Sequence, residues 1–190
     1  MITLLILLVV VIGLIAYAAG VYNGLISLRE SVKTSWANID VLLKQRHDEL
    51  PKLIETCKRY MQFEQDTLEK VMRARASVSQ ASEAGNVAAV GAAERQLRVG
   101  MNQLFAVAEN YPQLKSDESF KQLQSRITVL EEAIADRREL YNDQVNLNNV
   151  RVSVFPDIMI AQRFGFLPAH LLEFSTEEKR DVDVAALFHA

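Results

Sequence analysis

Few side chains in this sequence have the type and spacing that chemistry requires. The three histidines stand at 47, 170 and 189. No two are four apart and no HExxH motif occurs, so a helical zinc-hydrolase site is excluded. Helical bundles that hold two irons use Glu-x-x-His on two helices. Lys44 lies three residues before His47 and Leu167 three before His170, so that pattern is absent. Cys57 falls on an apolar stripe between Ile54 and Met61, where a buried inert thiol is the expectation rather than a nucleophile. The seven glycines are scattered, with no phosphate-cradling loop among them. A net charge of −3 and a pI near 5.7 argue against nucleic acid as a partner. The expectation is a protein without catalytic residue, metal or cofactor.

What remains is a cluster of polar and aromatic side chains at Trp36, Asp40, Arg46 and Asp48. Asp40 and Lys44 stand at i, i+4 with the acid first, the order that pairs well on a helix. The four could form a recognition surface. The plainer reading is a solvated face with the tryptophan in the core, and it is preferred, because exposed ion pairs contribute at most about 1 kcal/mol. Glu131-Glu132 reads as helix surface, since adjacent residues do not share a face. Tyr141, Gln124 and Arg138 are the polar residues that the pattern turns inward.

The elements that must position these residues begin with a long apolar run. Residues 1–22 contain 19 apolar residues, and the first charged side chain is Arg29. The other 168 residues are about 44% apolar, near the range of an ordinary globular domain. Twenty uncharged residues, Ile2 to Val21, make a helix of about 30 Å, the thickness of the hydrocarbon core. Ala16-Tyr17-Ala18 has the small-x-small form of a signal-peptidase site. However, no basic segment precedes the run, and the run exceeds a usual signal core, so an uncleaved anchor is preferred. Lys and Arg follow the span only on its C-terminal side, at Arg29, Lys33, Lys44 and Arg46. The positive-inside rule then places the N-terminus outside and the large domain in the cytoplasm. Ala16, Gly20 and Gly24 recur four apart, a stripe along which two membrane helices can approach closely.

Beyond the span, apolar residues repeat at three and four from Trp36 to Met72, from Val87 to Tyr111, and from Phe120 to Val145, the pattern of amphipathic helices. Gly85-Asn86 is a stop and turn signal. Pro112 ends the second run, Ser116 offers an N-cap to the third, and the third dissolves among Asn146, Asn148 and Asn149. Pro51 leaves two possibilities. A proline inside a helix costs about 3 kcal/mol, which favours a break there, and Asp48 could cap a new helix. The result would be four rods at 22–47, 50–82, 87–110 and 117–149 sharing one core. The alternative joins the first two into one long kinked rod. The expected fold is all-α, an N-terminal transmembrane helix followed by an antiparallel, up-and-down four-helix bundle. The divisions are an anchor at 1–22, a bundle at 23–149, an aromatic-rich capping segment at 150–174 and a charged tail at 175–190. In the capping segment Pro156 could open a short helix through Gln162 and Gly165 could end it. A docking patch or membrane-surface segment is the other reading of this region. The cap is preferred because no basic amphipathic face accompanies the aromatics.

An ordered set of short motifs carries a resemblance along nearly the whole chain. It runs Tyr22-Asn23-Gly24-Leu25, Trp36-Ala37-Asn38-Ile39-Asp40-Val41-Leu42-Leu43-Lys44-Gln45-Arg46, and Asp48-Glu49-Leu50-Pro51-Lys52-Leu53-Ile54-Glu55. Later come Tyr111-Pro112-Gln113-Leu114-Lys115, Phe120-Lys121-Gln122-Leu123-Gln124, Arg138-Glu139-Leu140-Tyr141-Asn142, Phe155-Pro156 and Phe164-Gly165-Phe166. In these the chain resembles the LemA family, bacterial proteins with an N-terminal membrane helix and a helical cytoplasmic domain. Lys52 departs from the asparagine expected beside that proline, and the last dozen residues match nothing in the pattern. The resemblance implies an up-and-down four-helix bundle and a bacterial inner-membrane address. It implies no activity, because the family has no established biochemical function. The sequence thus leads to a membrane-anchored scaffold or adaptor that is non-enzymatic and uses the lipid bilayer, a second copy of itself or another membrane protein as partner. The competing expectation is a membrane-tethered sensor or enzyme with a small-molecule pocket in the bundle core.

Overall fold

The computed structural model describes residues 1–173. Six helices account for most of them: α1 (Ile2–Lys58), α2 (Gln65–Glu83), α3 (Val87–Ala108), α4 (Pro112–Ser116), α5 (Glu118–Ser153) and α6 (Asp157–Phe164). No strand occurs among the described residues. The chain divides into two compact units. The first comprises Met1–Ile39 and Ala135–Leu171, and the second Asp40–Ile134 with Leu172 and Glu173. The charged tail expected at 175–190 lies outside the described residues.

The second unit is a four-helix bundle. Its rods are the last part of α1, all of α2 and α3, and the first part of α5. Short connections at 59–64, 84–86 and 109–117 oblige consecutive rods to run antiparallel. Leu50, Leu53, Ile54 and Cys57 of α1 meet Leu68, Val71 and Val78 of α2, Leu97, Met101 and Leu104 of α3, and Phe120 and Ile127 of α5. Each fully buried leucine or isoleucine contributes about 1.5–3 kcal/mol relative to exposure, and their three-four spacing is the one read from the sequence. Gly85 takes a left-handed φ of 64°, which a side chain would resist. The Asn86 side chain then caps α3 by accepting a hydrogen bond from the Ala89 amide at 3.0 Å. Gly91 lets the chain pass closely over α3, since a Cβ there would stand 2.5 Å from the carbonyl oxygen of Glu173.

Of the two possibilities left open at Pro51 the continuous rod is the one found, and one cap expectation fails in this unit. The first helix does not break at Pro51: α1 continues to Lys58 with Pro51 inside it, and the chain turns at 59–64 instead. A proline has no N–H to offer the carbonyl four residues earlier, which here belongs to His47. The Nε of Arg75, from α2, donates to that carbonyl at 2.8 Å, so the orphaned acceptor is satisfied from a neighbouring rod. The cap of α5 is Asp117 rather than Ser116. Its Oδ1 accepts from the Phe120 amide at 3.0 Å, while its Oδ2 accepts from the Tyr60 hydroxyl at 2.9 Å. Ser116 instead donates to the carbonyl of Pro112 within α4.

In the first unit, Val21 and Leu25 of α1 are buried with Val152 of α5, Ala161 of α6 and Phe166. The helix expected to end near residue 149 runs on to Ser153, because its asparagines bind another segment rather than their own backbone. The Asn149 side chain donates to the Ala169 carbonyl at 2.9 Å and accepts from the Ala169 amide at 2.7 Å. Asn148 reaches the Leu167 carbonyl at 3.4 Å. α6 follows Pro156 and stops at Gly165, whose φ of 70° is left-handed, as the sequence suggested within two residues. The region expected to cap the bundle packs, as far as residue 171, within the first unit, with Phe164 and Phe166 on residues 21–29 of α1 and residues 167–170 bonded to α5.

The arrangement around Pro51 makes a coupled prediction. Arg75→Ala should destabilise the chain by about 1–3 kcal/mol, the cost of an unpaired acceptor. In a Pro51→Ala background the new amide can reach the His47 carbonyl, so the same Arg75→Ala change should cost much less. Urea unfolding of the four proteins in detergent, read as a double-mutant cycle, checks this; equal costs in both backgrounds would refute it.

Candidate functional site

The densest concentration of charge lies inside the four-helix unit. Arg46 of α1 is 3% exposed and Glu94 of α3 is 2% exposed. The Arg46 Nη2 donates to the Glu94 Oε1, and its Nη1 stands 3.8 Å from Oε1 of Glu131 on α5. One turn further along α1, buried Glu49 accepts from Arg126 of α5 at 2.9 Å and lies 3.3 Å from the Lys52 ammonium. Three rods are thus joined by charges. Arg46 Nε, Glu49 Oε2 and Glu131 Oε1 have no hydrogen-bond partner. Burial raises the Glu131 carboxyl above the usual range, against the opposing charges of Arg46 and Arg98.

This arrangement departs from the sequence reading at several points. Arg46 is an interior residue rather than part of a surface, and Glu131 is half-buried beside it rather than a solvated neighbour of Glu132. Asp48 is exposed. Asp40 accepts from Lys44 at 2.7 Å, as its spacing predicted, and also from the Ser82 hydroxyl at 2.5 Å. Trp36 belongs to the first unit, its ring 5.6 Å from that of Tyr141. Arg46, being buried, cannot share an exposed surface with Trp36, Asp40 and Asp48. The signal that could have found the Arg46 site was its phase: Arg46 follows Ile39 and Leu43 by seven and three residues, on the apolar stripe.

The residues of the pocket reading also separate. Tyr141 is buried in the first unit, where its hydroxyl donates to the His170 carbonyl at 2.9 Å. Arg138 belongs to that unit too, whereas Gln124 is in the second. Cys57 is wholly buried, and desolvation pushes its thiol up to about 12, so it is protonated and unreactive at physiological pH. Among the described residues no three His, Cys, Asp or Glu side chains gather as metal ligands would. A groove of about 820 Å³ lies beside the α1–α2 turn, lined by Ile54, Met61, Phe63, Leu68 and Met72 together with Lys58, Gln62, Gln65 and Glu69.

Along the apolar stretch of α1 almost every side chain is exposed, and this helix is long and apolar enough to cross a membrane. Within the Ala16, Gly20, Gly24 stripe, Gly20 has nothing within 4 Å of where a Cβ would stand. Gly24 differs, because the Arg151 guanidinium lies 3.3 Å from that point. The Arg151 side chain of α5 thus stands over part of Gly24, which remains half-exposed.

Residues 35–185 match the model of the LemA family, and the chain belongs to that family. It is 24% identical to protein LemA of Metamycoplasma hominis, over 87% of this chain and 74% of that protein. It is 22% identical to magnetosome protein MamQ 2 of Paramagnetospirillum magneticum, covering 86% of this chain and 70% of the relative. The corresponding figures for magnetosome protein MamQ of Magnetospirillum gryphiswaldense are 22%, 76% and 62%.

Two predictions test the charge cluster. Removing one member of a buried pair strands the other, so Arg46→Met should cost about 3–5 kcal/mol. Adding Glu94→Leu to it should recover most of that loss in urea or thermal unfolding. The second concerns Glu131, whose carboxyl titrates higher in the folded chain than in the unfolded one. Its contribution is therefore fully present below the unfolded value and is lost as the pH rises through the folded value. Glu131→Gln removes that titration. Its stability should match the parent near pH 4 and exceed it near neutrality, as unfolding at the two pH values will show.

Proposed function

We propose that this protein is a non-enzymatic scaffold or adaptor held in the bacterial cytoplasmic membrane by residues 2–21 of α1. It crosses once, with the N-terminus outside and the helical units in the cytoplasm. The observation that carries this reading is the continuity of α1. The helix leaves an exposed apolar stretch of membrane length and runs without interruption into side chains buried in each helical unit, so the anchor and the units share one backbone. The orientation rests on Arg29 and Lys33, the exposed bases that follow the span, and on the excess of such residues on cytoplasmic sides. The non-enzymatic reading draws support from how the charged side chains are used. Arg46, Glu49, Glu94 and Arg126 are spent on one another across three rods, and Cys57 is protonated.

The partners we propose are the lipid bilayer, a second copy of this chain meeting it along the Ala16–Gly20 face, or a second membrane protein, and no nucleic acid. Cross-linking a tagged chain in intact native membranes, with every adduct identified by mass, tests the scaffold reading. A self-adduct or one defined second protein is expected, and a chain that yields neither would overturn it. In the same membranes an impermeant maleimide should reach Gln103→Cys only after the bilayer is opened from the cytoplasmic side.

A further inference from the structure

Residues 155–167 present an unusual surface for a small protein. Phe155, Met159, Phe164 and Leu167 are 79%, 64%, 60% and 77% exposed, all within thirteen residues. Large apolar patches of this kind ordinarily mark a partner. What identifies the partner is where the segment is held. Phe164 packs edge-on against Tyr22 with ring centroids 4.8 Å apart, and Phe166 packs on the same ring at 5.7 Å. Phe166 is also buried with Val21 and Leu25, and the Arg29 guanidinium lies 5.4 Å from the centre of its ring. The ion pair of Arg151 with Asp157 fixes the start of α6 to the end of α5. Everything that anchors the segment therefore lies on α1 between Val21 and Arg29, or on the part of α5 packed there.

Those positions have a defined height relative to a bilayer. Residues 2–21 occupy about 30 Å of hydrocarbon, and the headgroup layer adds roughly 6–8 Å on each side, about five residues of helix. Tyr22 to Ile26 would then stand in the headgroup layer with the exposed apolar side chains of 155–167 beside them. Aromatic rings concentrate at that depth, and short segments with apolar side chains lie in it, helped by bases that reach lipid phosphates. Arg29 and Arg163 are exposed nearby. We propose that residues 155–167 form an interfacial foot, seated on the headgroup layer of the bilayer that holds α1. The occupant of the apolar patch is lipid, and the foot fixes the first unit against the membrane. The inference rests on the anchoring proposed above.

Spin labels on the full chain in vesicles of phosphatidylethanolamine and phosphatidylglycerol test it. Single cysteines replace Met159, Leu167, Ile12 and Gln103, all exposed, so the substitutions leave both cores intact; circular dichroism checks the helix content. Collisions are compared for dissolved oxygen, which concentrates in lipid, and for a water-soluble nickel chelate. At Met159→Cys and Leu167→Cys we expect nickel collisions several-fold below those at Gln103→Cys, with oxygen collisions retained, and both shallower than Ile12→Cys. If 159 and 167 meet nickel as freely as 103 while 12 lies deep in lipid, the foot is wrong and the anchor stands. Shielding of 159 and 167 from both reagents would mean that protein covers the patch, and would equally overturn the foot. Free access of nickel to position 12 would refute the anchor itself.

Discussion

The carbonyl of His47 is the point on which the four-helix unit turns. Pro51 deprives it of its helical partner, and leaving this part-buried acceptor unpaired costs up to about 1–3 kcal/mol. Arg75 supplies the missing hydrogen bond from α2. With that carbonyl satisfied, α1 has no need to stop, and Leu50, Leu53, Ile54 and Cys57 stay on one face of one helix. The turn to α2 is then placed at 59–64, where Met61 is buried and the Tyr60 hydroxyl engages Asp117, the residue that starts α5. One substituted hydrogen bond thus serves the carbonyl that Pro51 leaves open as α1 runs on to the turn at 59–64. The same guanidinium has an electrostatic consequence: burial, and then the Arg75 charge, lower the pKa of the His47 side chain, which favours neutral imidazole beside the cation.

The buried charges follow a related logic with a different balance. An apolar set of the same volume could fill the space of Arg46 and Glu94, often without loss of stability. A charged pair differs in tolerating very little displacement, because an ion moved out of reach of its partner stays buried and uncompensated. Arg46 comes from α1, Glu94 from α3 and Glu131 from α5, so one guanidinium checks the register of three rods. Glu49 with Arg126 repeats the link between α1 and α5 one turn away. Apolar residues at three-four spacing can slide past one another by a turn with modest penalty, and these charges remove that freedom. A fixed register is what these buried charges supply against their desolvation cost.

Membership of the helical class, the apolar span and the Gly85 turn were all legible in the sequence, because each depends on local composition or a single period. The continuity of α1 was legible only as the less favoured of two possibilities at Pro51. A proline inside a helix is unfavourable on local grounds, and only the Arg75 donor, on another rod, makes it tolerable here. Arg46 escapes a local reading for a similar reason: a charge on an apolar stripe is explained by its partners at 94 and 131, and pairing across helices leaves no trace in spacing. The cap of α5 was off by one residue, since Ser116 and Asp117 are both good caps and the Tyr60 hydroxyl favours the second. Asn148 and Asn149 looked like the end of a helix because asparagine competes with its own backbone. They lie within one here because their amides are engaged by residues 167–169.

That last case shows how a weak helix former can be the right residue. Asn149 offers a donor and an acceptor in the geometry of a peptide group, and the Ala169 amide and carbonyl use both. Among the described residues those after α6 form no helix or strand, so their backbone groups need partners from elsewhere. An aliphatic residue at 149 would strengthen α5 locally and leave Ala169 unpaired. With the asparagine in place the strap is tied at 167–169, Phe166 is held against Val21 and Leu25, and α6 is fixed between two attachments, the other being Arg151 with Asp157. Two polar ties at the ends of the segment allow the side chains between them to be apolar and exposed without the segment collapsing onto the nearest core. Met159 and Phe164, between the ties, and Phe155 and Leu167, beside them, thereby remain exposed on the first unit.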